Sequence, residues 1–226
     1  TAAAIFHSIA NLDCTKTILV FDLGGGTLDV TILNQYQSIV EIIATAGNHR
    51  LGGEDLTDAI VAYFLKEHGL SESEVARNEL AQLRHHAEYI KRGLLHKDSV
   101  STHASLAGIS RLLALTADKL NSIFQLHLQQ MLSVLKQAVR DAGILTTQLD
   151  EVVLVGGATR TQAVVDLVRK YCGCEPLRHT NPDEAIALGV PLLGLSVLAN
   201  RLAAGQQIAM YLNTPFQGRG SGKIIL

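Results

Sequence analysis

The residues best suited to chemistry lie together in Asp22-Leu23-Gly24-Gly25-Gly26-Thr27-Leu28-Asp29. Three consecutive glycines tolerate positive φ and leave their backbone N–H groups bare, so a turn of this kind can aim amides at an anion such as a polyphosphate. The aspartates at its two ends cannot meet a phosphate directly. They suit a hydrated Mg²⁺, or the orientation of an attacking water. Thr27 adds a hydroxyl. A plain hairpin turn would account for the glycines alone; the paired carboxylates and the threonine favour phosphate.

A second glycine signal is Val155-Gly156-Gly157-Ala158-Thr159-Arg160, where an apolar strand runs into glycines and then into a helix expected from Thr159 to Tyr171. A helix N-terminus there offers free N–H groups and a positive dipole end to a nucleotide, although an ordinary strand-to-helix turn has the same sequence. A third signal is a stripe on a helix expected from Glu72 to Lys97. At about 100° per residue, Glu88, Lys91, Arg92 and Leu95 lie roughly 130° from the apolar positions Leu80, Leu83, Ala87, Ile90 and Leu94. Glu88 and Lys91 could bond ribose hydroxyls, and the flat guanidinium groups of Arg92 and Arg160 could stack on a base. A solvated face laced with i,i+3 and i,i+4 ion pairs is the competing account.

Three strands must hold the first turn: Thr17 to Leu23, Leu28 to Leu33 and Ser38 to Thr45, with Gly47-Asn48 read as the turn that follows. Leu51-Gly52-Gly53-Glu54-Asp55 opens a helix through Glu67, with acidic residues in its first turn where they complement the helix dipole. The Ser-rich stretch from Asp98 to Ser110 fits a small hairpin, and a long amphipathic helix runs from Thr116 to Asp141. Glu151 to Val155 is apolar without alternation, as in a strand covered on both faces. Asn181-Pro182-Asp183-Glu184 begins a helix continuing from Ala185 to Leu198. The result is a mixed sheet packed between helices, not a repeating βαβ fold.

Composition narrows the function. The 226 residues are 47% hydrophobic and 18% charged, a composition that builds a core, and 19 basic against 21 acidic residues leave a net charge of −2. No basic footprint points to nucleic acid or to an anionic membrane surface. The longest uncharged apolar stretch, Ala185 to Ala199, contains a proline and falls short of the roughly 20 residues of a spanning helix. Three cysteines make no disulfide framework, and the natural setting is a reducing compartment, the cytoplasm. Cys172-Gly173-Cys174 lacks a second pair for a metal site. Gly218 to Lys223 imitates a P-loop with the wrong spacing. His85 and His86, adjacent on a helix, cannot share a face.

Together, Asp22 to Asp29, Leu51 to Asp55, Val153 to Arg160 and Asn181 to Ala185 resemble the heat-shock 70-kDa (DnaK-type) chaperone family, and Thr1 to Ala4 is similar to the segment preceding its phosphate strand. The resemblance implies an α/β, actin-like ATPase (ribonuclease H-like) fold. This chain would form its second lobe over residues 1–200: a mixed five-stranded sheet with flanking helices, a helical insertion subdomain at about 54–143, and a tail or linker at 201–226. It implies ATP or ADP with Mg as the ligands. Asp22 and Asp29 would then face the Mg²⁺ waters and the attacking water, and Gly24, Gly25, Gly26 and Thr27 the β- and γ-phosphates. Gly52 and Gly53 would lie on the nucleotide side of the cleft. Glu88, Lys91 and Arg92 match the ribose and adenine contacts, and Gly156, Gly157 and Arg160 match the other half of the adenosine clamp, with Asp183 nearby.

The same resemblance implies co-chaperones and exchange factors as partners, and unfolded client peptides bound through a further domain. The first phosphate loop and the catalytic Lys would belong to another lobe, so this chain alone is expected to hydrolyse ATP negligibly. Leu95 and Ala158 stand where the family usually has Ser, changes that remove hydroxyls from base recognition. A divergent, non-catalytic relative acting as a co-chaperone or exchange partner is the alternative; a sugar-kinase or actin relative fits the clustered motifs less well.

Overall fold

A computed structural model describes residues 15–36, 39–178 and 223–225. The expected helix start at Asn181, the helix from Ala185 to Leu198, the site residue Asp183 and the segment Thr1 to Ala4 lie outside the described residues. In chain order the elements are β1 (Thr15–Leu23), β2 (Leu28–Tyr36), β3 (Ile39–Asn48), α1 (Gly53–Glu67), α2 (Arg77–Gly93), β4 (Ser99–Leu106), β5 (Ile109–Thr116), α3 (Ala117–Asp141), β6 (Glu151–Val155), α4 (Gln162–Cys172), β7 (Leu177–Arg178) and β8 (Lys223–Ile225).

β1, β2 and β3 form an antiparallel meander, β6 joins β1 in parallel, and β7 joins β6 in parallel. Among the described residues the mixed sheet has six strands in the order β7-β6-β1-β2-β3-β8, one more than the sequence suggests. The extra strand is β8, which pairs antiparallel with β3 at Val40 and Ile224; the sequence places it in the tail. Gly47 and Asn48, read from the sequence as a turn, end β3 opposite Asp29 and Leu28.

The unbroken apolar runs follow from burial on both sheet faces. Leu19, Phe21 and Leu23 of β1 join Leu28, Val30 and Ile32 of β2 in the large core shared with the helices. Ile18 and Val20 point the other way, into a smaller cluster with Leu33, Val40, Val153 and Val155. The period of two puts Asp22 and Asp29 on this second face.

The expected helix of 26 residues from Glu72 is shorter. A 3₁₀ turn at Glu72–Glu74 precedes α2, and α2 stops at Gly93 because β4 presses on its end: a Cβ on Gly93 would lie 2.9 Å from Val100 Cγ2. The hairpin of β4 and β5 pairs from Ser99↔Thr116 to Leu106↔Ile109. It buries Val100, Ala104, Leu106, Leu113 and Leu115 in the same core as Leu83, Ala87 and Ile90 of α2. Thr116 then caps α3 by accepting the Lys119 N–H at 3.3 Å.

The hairpin turns through Ala107 and Gly108, both at positive φ (53° and 73°). That is the left-handed pair a type I′ turn demands, and alanine adopts it at a cost. Glu79 of α2 holds the tip in place, accepting the Ser105 hydroxyl at 2.6 Å and the Ala107 and Gly108 N–H groups at 3.1 Å each. Because asparagine tolerates this conformation, Ala107→Asn is expected to stabilise the protein by about 0.5–1 kcal/mol in urea titration. A destabilised variant would show that the strain lies elsewhere.

Candidate functional site

The site forms where three glycine segments meet at the ends of β1 and β6. β1 and β2 pair up to Leu23↔Leu28, with Asp22 directly opposite Asp29. The Gly24 N–H closes the turn on the Thr27 carbonyl at 3.0 Å. Its far side is fastened by the start of α1: the Gly53 N–H donates to the Gly24 carbonyl at 2.9 Å and the Glu54 N–H to the Gly25 carbonyl at 2.7 Å. In a trans peptide the N–H points opposite to the C=O, so binding these two carbonyls to α1 turns the Gly25 and Gly26 N–H groups to the other side. Gly25, Gly26 and Thr27 are exposed there. The N-terminal amides of α1 therefore orient the turn and do not themselves face a ligand.

Contact between the segments is at backbone distance. A Cβ on Gly52 would lie 2.4 Å from the Gly25 carbonyl oxygen, and one on Gly156 would lie 2.2 Å from the Leu23 carbonyl oxygen. Gly156 also holds φ at +86°, so only glycine satisfies both its conformation and its neighbours. Gly53 sits at the centre: its Cβ would be 3.2 Å from Ala158 Cβ and 3.7 Å from Lys91 Nζ. Asp55 completes the start of α1 by accepting the Gly52 N–H at 2.7 Å.

The turn after β6 differs from the expectation. Gly157–Arg160 is a 3₁₀ turn, and α4 begins only at Gln162. A long helix dipole consequently does not begin at Gly156. Thr159 is buried and donates its hydroxyl to the Gly156 carbonyl at 2.7 Å, tightening the loop, while Gly157 and Arg160 lie exposed at its rim.

Asp22 is half-buried and Asp29 exposed. Burial pushes the Asp22 carboxyl above the ordinary carboxylate range, and the facing Asp29 carboxylate adds to the shift. A partly dehydrated acid opposite a second one is a position a cation would stabilise, and among the described residues no basic side chain is bonded to either, an arrangement that suits a hydrated cation. Among the described residues, no group of three or more His, Cys, Asp and Glu is placed to hold a metal ion directly. Gly47, which the sequence reading assigned only to a turn, belongs to this site: its Cβ would lie 2.9 Å from Asp29 Oδ1. A glycine late in a strand, marking close approach by another group, was the available signal.

The stripe on α2 is partly inward-facing. Glu88 and Arg92 pair at 2.7 Å with the Arg92 side chain largely exposed, leaving the guanidinium face open for stacking. Lys91, expected on the same open face, is 8% exposed and turned into α1. Its ammonium reaches the Gly53 carbonyl at 2.6 Å, the Thr57 hydroxyl at 2.7 Å and Glu88 Oε2 at 2.6 Å. Burial pulls the Glu88 carboxyl upward, but the bonds from Lys91, Thr57 and Arg92 outweigh it and hold it down at about 2. A lowered carboxyl contributes stability that is present above its unfolded value near 4.5 and lost as pH falls towards 2. Leu95 has left the helix for the turn after Gly93; it is half-buried and not on the α2 stripe.

Cys172 is buried, which pushes its thiol to about 12 with Cys174 adding to the effect, so it stays protonated and inert. Among the described residues, no helix is long and apolar enough to cross a membrane. Compared with protein families, the chain matches the family model described as Hsp70 protein over residues 1–205.

Proposed function

The chain belongs to the Hsp70 family, and from that premise we propose that it supplies the second lobe of a nucleotide-binding domain taking ATP or ADP with Mg²⁺. This second lobe would span residues 1–200, with the insertion at about 54–143 and a tail or linker at 201–226; a further lobe would complete the cleft, and the whole protein would couple hydrolysis to protein folding. The observation that carries this reading is the backbone-to-backbone seating of the glycine turn between Gly52 and Gly156, beside two facing carboxylates. An ordinary hairpin has no need of such seating.

In this reading the Gly25 and Gly26 amides and the Thr27 hydroxyl bind the terminal phosphates, and exposed Asp29 accepts a hydrogen bond from the attacking water. Asp22 and Asp29 would hold a Mg²⁺ ion through its waters, and the ion would supply charge neutralisation at the phosphates. The base would stack between the guanidinium planes of Arg92 and Arg160, with Glu88 open to the ribose. Gly157 lets the loop approach the nucleotide. Co-chaperones and exchange factors would act on this lobe, and client peptides through a further domain, in the cytoplasm. The paired carboxylates favour a hydrolytic member over a non-catalytic co-chaperone.

Asp22→Asn in the full-length protein tests the reading with two measurements of opposite sign. Turnover of ATP should fall by at least about 100-fold, the scale of losing one preorganised electrostatic group. The nucleotide-free variant should melt higher than the parent at pH 7. A carboxyl raised in the folded state contributes stability only below its unfolded value near 3.8 and loses it as pH rises, so its charged form is a burden at neutral pH. The gap in melting temperature should close at pH 3. Unchanged turnover would refute the assignment.

A further inference from the structure

The outer face of α3 complements itself when its direction is reversed. Asp118, Gln129 and Arg140 recur at a spacing of eleven residues, and eleven residues make about three turns, which returns the chain to the same side of a straight helix. Ser122, Gln125, Ser133 and Lys136 fall on the same line, four and seven residues to either side of Gln129. All of these positions are exposed. We propose that this face of α3 is an interface with a second copy of the chain, the two helices running antiparallel about a two-fold axis at Gln129.

The first support is a lack of charge. From Leu120 to Leu135 the helix has no Asp, Glu, Lys or Arg, whereas a solvent-facing helix surface is ordinarily charged and thereby kept from self-association. α1 and α4 follow the ordinary pattern, exposing Glu54, Asp58 and Lys66 on one and Asp166 and Lys170 on the other. The second support is what the face leaves unused. Leu126, beside the line, is 63% exposed, and among the described residues no hydrogen bond or ion pair occupies the side chains of Asp118, Gln125, Gln129, Lys136 or Arg140. The centre of a protein interface is depleted of charge in the same way. The third is the match on reversal. About Gln129, that residue meets its own copy, Gln125 meets Ser133, Ser122 meets Lys136, and Asp118 meets Arg140. An amide both donates and accepts, so it pairs with itself; a hydroxyl accepts from an ammonium, and a carboxylate faces a guanidinium at each end. A two-fold contact requires this self-complementarity, and a partner of another kind does not. With one leucine from each copy the apolar area is small, which makes the association reversible and places it at the low end of interface size.

Sedimentation of the full-length protein over a micromolar range of concentration should show a monomer–dimer equilibrium that weakens with added salt, since the end pairs are exposed charges. Asp118→Arg sets like charges against each other at both ends and should raise the dissociation constant at least about tenfold. Combining it with Arg140→Asp reverses both partners, and the dissociation constant should return to within about twofold of the parent. Disulfide capture reads the register independently of charge. Under oxidising conditions Gln129→Cys should link to its own copy well above the parent, whose native cysteines set the baseline. Ser122→Cys alone should stay at that baseline, and a mixture of Ser122→Cys with Lys136→Cys should give the mixed dimer. A protein that remains monomeric throughout overturns the proposal. So does a dimer indifferent to Asp118→Arg, which would place the contact on another surface, and so does Ser122→Cys linking to itself as readily as Gln129→Cys, which would make the helices parallel. A monomeric protein whose Gln129→Cys variant links instead to a different protein would give the face to that partner and overturn it as well.

Discussion

Gly25→Val is expected to leave the melting temperature of the protein within error of the parent while abolishing protection by ATP against proteolysis. The two halves of that result come from different sides of one residue. Among the described residues, a Cβ on Gly25 would meet only Glu54 Oε1, at 3.8 Å, an ordinary contact that leaves room for the side chain. Branched methyl groups beside the exposed Gly25 and Gly26 amides would crowd the approach of a phosphate oxygen. Losing charge-assisted bonds from two amides corresponds to about 3–6 kcal/mol, enough to weaken binding beyond detection. ATP protecting Gly25→Val as well as the parent would reduce the turn to a hairpin.

Gly156→Ala should have the converse signature, a large loss of stability whether or not nucleotide is present. The new Cβ would lie 2.2 Å from the Leu23 carbonyl oxygen, 2.6 Å from its carbon and 3.0 Å from Asp22 Oδ1. Neither obstacle in the Leu23 backbone can rotate away, and Leu23 itself is fully buried between the sheet and the helices. Forced repacking and a left-handed alanine together cost about 2–5 kcal/mol. Urea titration checks this, with Gly26→Ala as the control because no atom of the described residues lies within 4 Å of its Cβ position. Equal midpoints for the two variants would mean that β6 does not seat against β1 as described.

Comparison of these two glycines shows what could be read from the sequence. The glycine turn between two apolar runs, the hairpin, α3 and the covered strand β6 all announce themselves through local composition and periodicity, because short-range backbone preference and burial agree there. The direction of Lys91 does not. Its angular position on an ideal helix puts it beside Arg92 on the open face, and only the presence of Thr57 and the Gly53 carbonyl on α1 turns it inward. Contacts between distant segments are invisible to periodicity. The same holds for the end of α2: the apolar spacing continues through Leu94, and it is Val100 against Gly93 that ends the helix. Gly47 was misread because glycine marks both turns and close approaches, and its neighbour Asp29 is supplied by another strand.

Pairing of β1 with β6 also governs when the protein can acquire its site during synthesis. The Asp150 carboxylate holds the Thr17 N–H across 133 residues of chain, and α1, α2, the hairpin and α3 all intervene. At 5–20 residues per second, a ribosome takes on the order of ten seconds to make that span. Through this interval the meander is complete on the β2 side, yet the β1 edge that will receive β6 has unpaired N–H and C=O groups along Ile18 to Asp22, four of them apolar residues. The nascent chain therefore passes through a stage in which an exposed, hydrophobic strand edge is available to any extended peptide, and Gly156 cannot close over Leu23 until that stage ends. A protein of a chaperone family is, for those seconds, itself the kind of chain that chaperones bind.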